Sequence, residues 1–517
     1  MKRKLMLLLC AALSMGMLFG CESGKSKADA ALQEGTGQTI KNNASDGSNS
    51  FESPYEVKMI VTLPTDAPSQ SEIDRVIEKV NEITLEKLDM TLKLEFLPYS
   101  SYAEQISLEL SEKSDIDLLI VRSVDAQNWV SAGYLVDMTD LLDEYGKDII
   151  DTYTNPEYAK AAIVNDFIYG MPVHKEVAQQ PTIFFRTDVL DQYGIDVSNV
   201  DSLADVDAIY EEVAVKEPGM WMLAADNLGS AKTFVCDKSV VGDTSYVVGL
   251  KDINDNTAVT NLLKADEFRE WCEYNRKWYQ KGWINFGAAS DNESYYTYIK
   301  TGQAFSFFSD YGHPLSENDQ EKNCGGVDLT MATMGKPFVT TETAAVFSYA
   351  ISAGSRNPAK AMQMLNLIET DTEIMNLLNW GVEGEDYIVN EDGLLDYPKG
   401  KDATTVGYHL GAGWILPNQF LCTPWVTDGS DIYTKIQEYN EMAVTSKAFG
   451  FSFDPTPVED EIAKMENVKN KYYKALIVGA LDPDVYLPKM IEEMDTAGIQ
   501  NVIAESQRQL DEFLAAP

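Results

Sequence analysis

Hydrophobic and polar positions change period along the chain, and the changes mark its elements. Val57 to Leu63 reads as a strand, and Pro64 to Gln70 as a turn-rich loop. Ser71-x-x-Asp74 has the capping-box pattern ahead of Ile73, Val76, Ile77, Val80 and Ile83, which share one face of a helix. Leu92, Leu94 and Phe96 alternate as a second strand, a helix follows from Tyr102 to Lys113, and Ile116 to Val121 is a short apolar strand of the buried parallel kind. Strand, helix, strand, helix, strand predicts a parallel sheet with helices on both faces. Ligands of such sheets sit beyond the carboxyl ends of the strands, which singles out the loops Pro64 to Gln70 and Arg122 to Trp129.

The extreme N-terminus follows a different pattern. Lys2, Arg3 and Lys4 precede an apolar run that Ser14, Gly16 and Gly20 interrupt, and an uninterrupted span needs about 20 apolar residues. A cleaved signal over residues 1–20 is therefore expected. The junction Leu18-Phe19-Gly20-Cys21 resembles the lipobox of bacterial lipoproteins, although Phe19 is an atypical choice there. That resemblance implies diacylation of Cys21, an anchor on the outer face of the cell membrane, and a palmitate-type modification. Residues 21–50 carry hardly an apolar side chain and are expected to form a flexible tether. From Phe51 the composition is globular, and the remaining length is too great for one hydrophobic core.

Acidic residues number 82 against 41 basic, for a formal charge of −41, so a nucleic-acid or anionic-lipid surface is excluded as a partner. Six cysteines include Cys10 in the signal and Cys21. Cys236, Cys272, Cys324 and Cys422 are far apart without a CxxC pair, which argues against zinc and leaves one disulfide or four free thiols as equal readings.

Several words of sequence occur in a telling order. Asp115-Ile-Asp-Leu-Leu is followed by Gly133 to Leu142 and then Ile168-Tyr-Gly-Met-Pro. Phe185-Arg186-Thr-Asp188 with Tyr193-Gly-Ile-Asp196, the amphipathic stretch Trp271 to Trp283, and Phe347 to Ser352 ahead of Asn357-Pro358 come next. Together they resemble the extracellular solute-binding proteins of the family that includes maltose-binding protein. Leu378 to Tyr387 and the stretch from Phe449 to Leu510 resemble the LipO-type lipoproteins of that family, which end in a helical domain.

The resemblance implies a periplasmic-binding-protein-like α/β fold, with two Rossmann-like lobes joined by a hinge and a helical C-terminal extension. Lobe 1 is expected at 51–172 and 345–400, and lobe 2 at 173–344 and 401–517, with the helical region from about 440 and hinges near Met171-Pro172 and Phe347-Ser348. It also implies an ABC importer, whose permease transmembrane subunits are the partners of a monomeric binding protein.

The motifs of enzymes are missing. HExxH, GxSxG, Walker and GxGxxG patterns do not occur, and His174, His313 and His409 are the only histidines. His174 and His313 read as turn or cleft-rim residues. Asp252 to Asn256 opens like a calcium loop, but Thr257 stands where glycine belongs and Leu263 where glutamate belongs. No metal, cofactor or catalytic residue is expected.

A carbohydrate is the expected ligand, because sugars present an apolar face and a rim of hydroxyls that suit aromatic platforms beside polar side chains. The candidates are Trp129, Trp221, Trp380, Trp414 and Trp425, with Ser69, Gln70, Arg122, Asp226, Glu383 and Asn418 as hydrogen-bonding partners. Trp271, Trp278 and Trp283 have helical spacing and read as core, and Arg186 as paired with acidic neighbours. A peptide or other polar solute is the alternative ligand, and a surface glycoside hydrolase or adhesin the alternative of another class.

Overall fold

Parallel pairing of Tyr55–Leu63 with Met90–Pro98 on one side and Leu118–Arg122 on the other forms the centre of the first lobe. Phe347–Ile351 then pairs antiparallel with both Leu118–Arg122 and Met171–Pro172, which closes a five-stranded sheet. This is seen in a computed structural model that describes residues 54–64, 66–225, 247–250, 257–285, 287–290 and 293–516. The Leu118–Val121 side chains are wholly buried, as a strand covered on both faces requires.

The Gln70–Leu88 helix buries Ile73, Val76, Ile77 and Val80, the apolar stripe read from the sequence. Its start differs from that reading. Ser69 occupies the cap position without a side-chain cap bond, Ser71 and Asp74 lie inside the helix, and Asp74 accepts instead from the Gln70 amide at 2.8 Å. The stretch after Arg122 differs too, because Ser123–Ser131 is a helix and not a loop.

Lobe 2 is a four-stranded sheet in the order Leu329–Thr333, Thr182–Arg186, Ala304–Ser309, Trp221–Leu223. Trp271 and Trp278, on the Asp266–Gln280 helix, are buried in its core as their spacing predicts. Arg186 pairs with Asp188 at 2.6 Å.

The three C-terminal helices Glu459–Ile477, Pro483–Ala497 and Ile499–Ala515 belong to the same core through Met465, Tyr473, Leu476, Met490, Val502 and Leu510. The Trp271 indole donates to Ile477 O at 3.0 Å, and Gly479, at φ +75°, lets the backbone there reach Asn275 O at a distance a Cβ would not permit.

One expected boundary is corrected. The segment after residue 400 does not pass to lobe 2: Tyr408, Ala412, Ile415, Leu416, Cys422, Trp425 and Tyr439 all lie in the lobe-1 core. It lacks a regular apolar period because it is largely irregular, held by side chains such as Asn379, whose amide oxygen accepts from Ala412 N at 2.9 Å. The chain crosses between lobes after Met171–Pro172, after Leu329–Thr333, and again where Val444–Thr445 pairs with Phe338–Val339. Cys272, Cys324 and Cys422 are buried free thiols, pushed by burial up to about 12, and Cys236 lies outside the described residues.

Candidate functional site

The carboxyl ends of the lobe-1 strands, the first crossover and the lobe-2 loop after Ser309 come together in one strip of side chains. Arg122 ends its strand and turns onto Asp125, one turn into the following helix, with two hydrogen bonds of 2.6 and 3.1 Å. Its guanidinium lies 5.5 Å from the ring centre of Tyr99, which directly follows the Met90–Pro98 strand, two places along the sheet. Tyr99 meets Phe347 edge-on at 6.3 Å, and Phe347 lies 5.7 Å from the half-buried Trp414.

On the crossover, Lys175 Nζ approaches the Trp414 ring to 5.9 Å and makes a 2.6 Å ion pair with Glu176. The second Glu176 oxygen accepts from Gln419 Nε2 at 2.9 Å. Burial alone would push the Glu176 carboxyl up, but Lys175, His313 and a backbone N–H together more than offset it and hold the group below its usual range.

Lobe 2 supplies the opposite wall. Tyr311 follows the Ala304–Ser309 strand, remains 43% exposed, and lies 6.1 Å from the buried His313. Its hydroxyl is held protonated by Asp310 first, then by burial, with weaker contributions from Glu176 on the crossover and Tyr99 on lobe 1. The Ser316–Asn323 helix reaches lobe 1 directly, since Asn318 Nδ2 donates to Thr427 O at 3.3 Å and to Asp428 Oδ1 at 3.1 Å. Asp319 on that helix is raised to about 7, chiefly by burial, with Glu176 and Asp428 adding to the rise and Lys322 and Lys175 opposing it.

A second aromatic group continues lobe 1. Trp425 lies 4.4 Å from Tyr397, 5.0 Å from His409 and 5.5 Å from Trp380. The indole N–H groups of Trp380 and Trp425, and Nδ1 of His409, are buried without a hydrogen-bond partner. Burial, with Lys322 next, lowers His409 to about 4. His174 and His313 are lowered by burial to about 3 and about 4. All three imidazoles are therefore neutral near pH 7.

The candidates named from sequence divide accordingly. Arg122 and Trp414 lie in the strip, and Trp380 and Trp425 in the second aromatic group. Trp129 does not offer a platform: its ring is buried in the lobe-1 core, with Nε1 donating to Ser107 Oγ at 3.2 Å. Its helix turns it inward. Trp221 packs edge-on against Tyr298 at 5.2 Å, and pairing with Ala304 puts it at the opposite end of its sheet from Tyr311.

Asn418 is structural, capping a short 3-10 turn and donating to Glu369 O at 3.0 Å. Ser69 and Gln70 are exposed at the helix start, and Glu383 is exposed in the turn before Tyr387. Asp226 and Cys21 lie outside the described residues, as does the start of the rejected calcium loop. Sequence reasoning missed Tyr99, Lys175, Glu176, Tyr311 and Gln419. The strand-end rule reaches Tyr99, which follows Pro98, and the Lys175-Glu176 pair stands three residues past the expected hinge at Pro172.

Residues 67–373 match the model of the bacterial extracellular solute-binding proteins. The chain belongs to that family. Residues 447–515 of this solute-binding protein match a domain of unknown function, DUF3502. A carbohydrate ABC transporter substrate-binding protein of Streptococcus pneumoniae is 28% identical over 465 residues, which cover 86% of this chain and 88% of the relative.

Among solved structures, the N-glycan transport solute binding protein NgtS of Streptococcus pneumoniae superposes with a TM-score of 0.79 at 24% identity, covering 89% of this chain and 99% of that one. The same protein in complex with Man1GlcNAc gives 0.72 at 25% identity, over 90% and 100% of the chains. The alginate-binding protein AlgQ2 gives 0.60 at 15% identity, over 89% and 98%. The two-lobed fold expected from the sequence is thus the fold of these binding proteins.

Proposed function

We propose that this protein captures an oligosaccharide between its lobes and delivers it to the transmembrane subunits of an ABC importer. The observation that carries the reading is the strip from Tyr99 through Phe347 and Trp414 to Lys175, Glu176 and Gln419, faced by Tyr311. Aromatic faces alternate there with held donors and acceptors, which suits a ring with an apolar face and a hydroxyl rim. The names of the relative and of the NgtS complexes support the same ligand class.

Binding without turnover fits the neutral histidines, none of whose rings hydrogen-bonds to a serine or cysteine side chain among the described residues. Two ligand-contacting lobes on three crossovers give closure a structural basis, because a ligand that touches both favours the closed state by its differential affinity. We place the protein at the membrane through lipid on Cys21, where each buried methylene contributes about 0.8 kcal/mol.

Isothermal calorimetry of the purified protein against mono- and oligosaccharides, peptides and amino acids tests the ligand. Heat with an oligosaccharide is expected, and heat with peptides alone would overturn the ligand class. Labelled palmitate incorporation, lost in Cys21→Ser, tests the anchor.

A further inference from the structure

The cleft is lined by charged groups, yet the two cations of its strip are already occupied. Arg122 gives two hydrogen bonds to Asp125 and Lys175 makes a 2.6 Å pair with Glu176, whereas Lys322 outside the strip is 64% exposed and 3.9 Å from Asp319. Asp428 adds a further carboxylate at the point where Asn318 joins the lobes. Asp125 and Glu176 thus already neutralise the two cations of the strip. We infer that the cleft selects an uncharged oligosaccharide and rejects glycans that carry a carboxylate or phosphate, with the carboxylates Asp125 and Glu176 as the specificity-determining residues. The inference rests on the carbohydrate reading given above.

An anionic group entering the strip loses its hydration and finds both of its cations, Arg122 and Lys175, already paired. An ionised group buried without a partner is strongly disfavoured, and like charge adds repulsion. A neutral sugar meets neither obstacle. Its hydroxyls donate to the carboxylates and accept the remaining N–H groups of Arg122 and Lys175, so the in-chain pairs stay intact while the ligand is bound. Glu176 is the sharpest case, because Gln419 and Lys175 fix both of its oxygens and leave the Lys175 charge spent.

The test is calorimetry with matched pairs: Man5GlcNAc against the same glycan bearing mannose-6-phosphate, and N-acetyllactosamine against its sialylated form. Binding of the neutral member, with its acidic partner at least about tenfold weaker, is expected. Equal or tighter binding of the acidic member overturns the inference and leaves the carbohydrate reading standing. No heat with either member of any pair overturns both. A second arm uses Glu176→Gln, which releases Lys175 and is expected to strengthen binding of the sialylated or phosphorylated probe about tenfold. If that variant does not fold, the wild-type pairs still decide.

Discussion

His174 Nε2 lies 3.3 Å from a Glu369 carboxylate oxygen, and neither side chain exposes more than 2% of its surface. Tyr153 stacks on the imidazole at 3.7 Å, and Thr152 Oγ1 is 3.2 Å from the same nitrogen. Glu369 has no aligned hydrogen bond to either oxygen, so burial raises its carboxyl well above the usual 4.5 and keeps it protonated. The pair sits where the first crossover leaves lobe 1, with His174 N donating to Pro417 O and Gln419 N to His174 O.

This arrangement fixes a pH dependence. The unfolded chain ionises Glu369 above pH 4.5 while the folded one does not, so stability is lost as pH rises from 4.5 toward the raised folded value. Glu369→Gln should therefore gain on the wild type by about 1.4 kcal/mol for each pH unit in that window. Urea unfolding of both proteins across pH 4 to 8 measures the difference, and a difference that does not change with pH would mean an ionised carboxylate. His174 acts in the opposite direction, costing stability as pH falls below 6.5 toward about 3.

Asn440 holds the same crossover from the other side. Its amide oxygen accepts from Val177 N at 3.0 Å and Ala178 N at 3.2 Å, and its nitrogen donates to Lys175 O at 2.9 Å. Asn440→Ala leaves three buried backbone groups unpaired and is expected to cost roughly 2–4 kcal/mol, read by thermal or urea unfolding. Asn440→Asp keeps the acceptor and should cost less.

Two tryptophans that look alike in sequence should separate by experiment. Trp414→Ala, at the half-buried ring beside Lys175, is expected to weaken oligosaccharide binding at least about tenfold with a small change in Tm. Trp129→Ala, in the lobe-1 core, is expected to cost about 3–5 kcal/mol in stability. Calorimetry and unfolding on both variants check the pair of outcomes, and a reversed pattern would return Trp129 to the ligand.

Gly479 tests how firmly the C-terminal helices are seated. A Cβ there would come within 2.2 Å of Asn275 O, and φ is +75°. Gly479→Ala should lower Tm far more than the roughly 1 kcal/mol of a routine glycine change, because the clash is with backbone. An unchanged Tm would show that the contact gives way freely.

The regular parts of the fold were readable because each element announces its own period. The stripe Ile73, Val76, Ile77 and Val80 and the alternation of Leu92 and Leu94 depend on local geometry alone. The site was only half readable, since its members meet through crossovers distant in sequence. Nothing near Trp129 reveals that a helix turns it toward Ser107, and nothing near Gln419 reveals Glu176, 243 residues away. The irregular stretch after residue 400 was misassigned for the same reason, having no period by which to place it.

The placement of the C-terminal helices also sets an order of assembly. The lobe-1 core draws on residues up to Tyr439, whereas lobe 2 needs Val502 and Leu510 to complete its own. A chain that emerges from its N-terminus can finish the first lobe while the second still lacks its last helices and exposes the apolar face of the Asp266–Gln280 helix. The helices from Glu459 to Ala515 thus decide when the molecule becomes safe from aggregation, and a ribosome that stops short of them leaves a product with one finished half and one adhesive one.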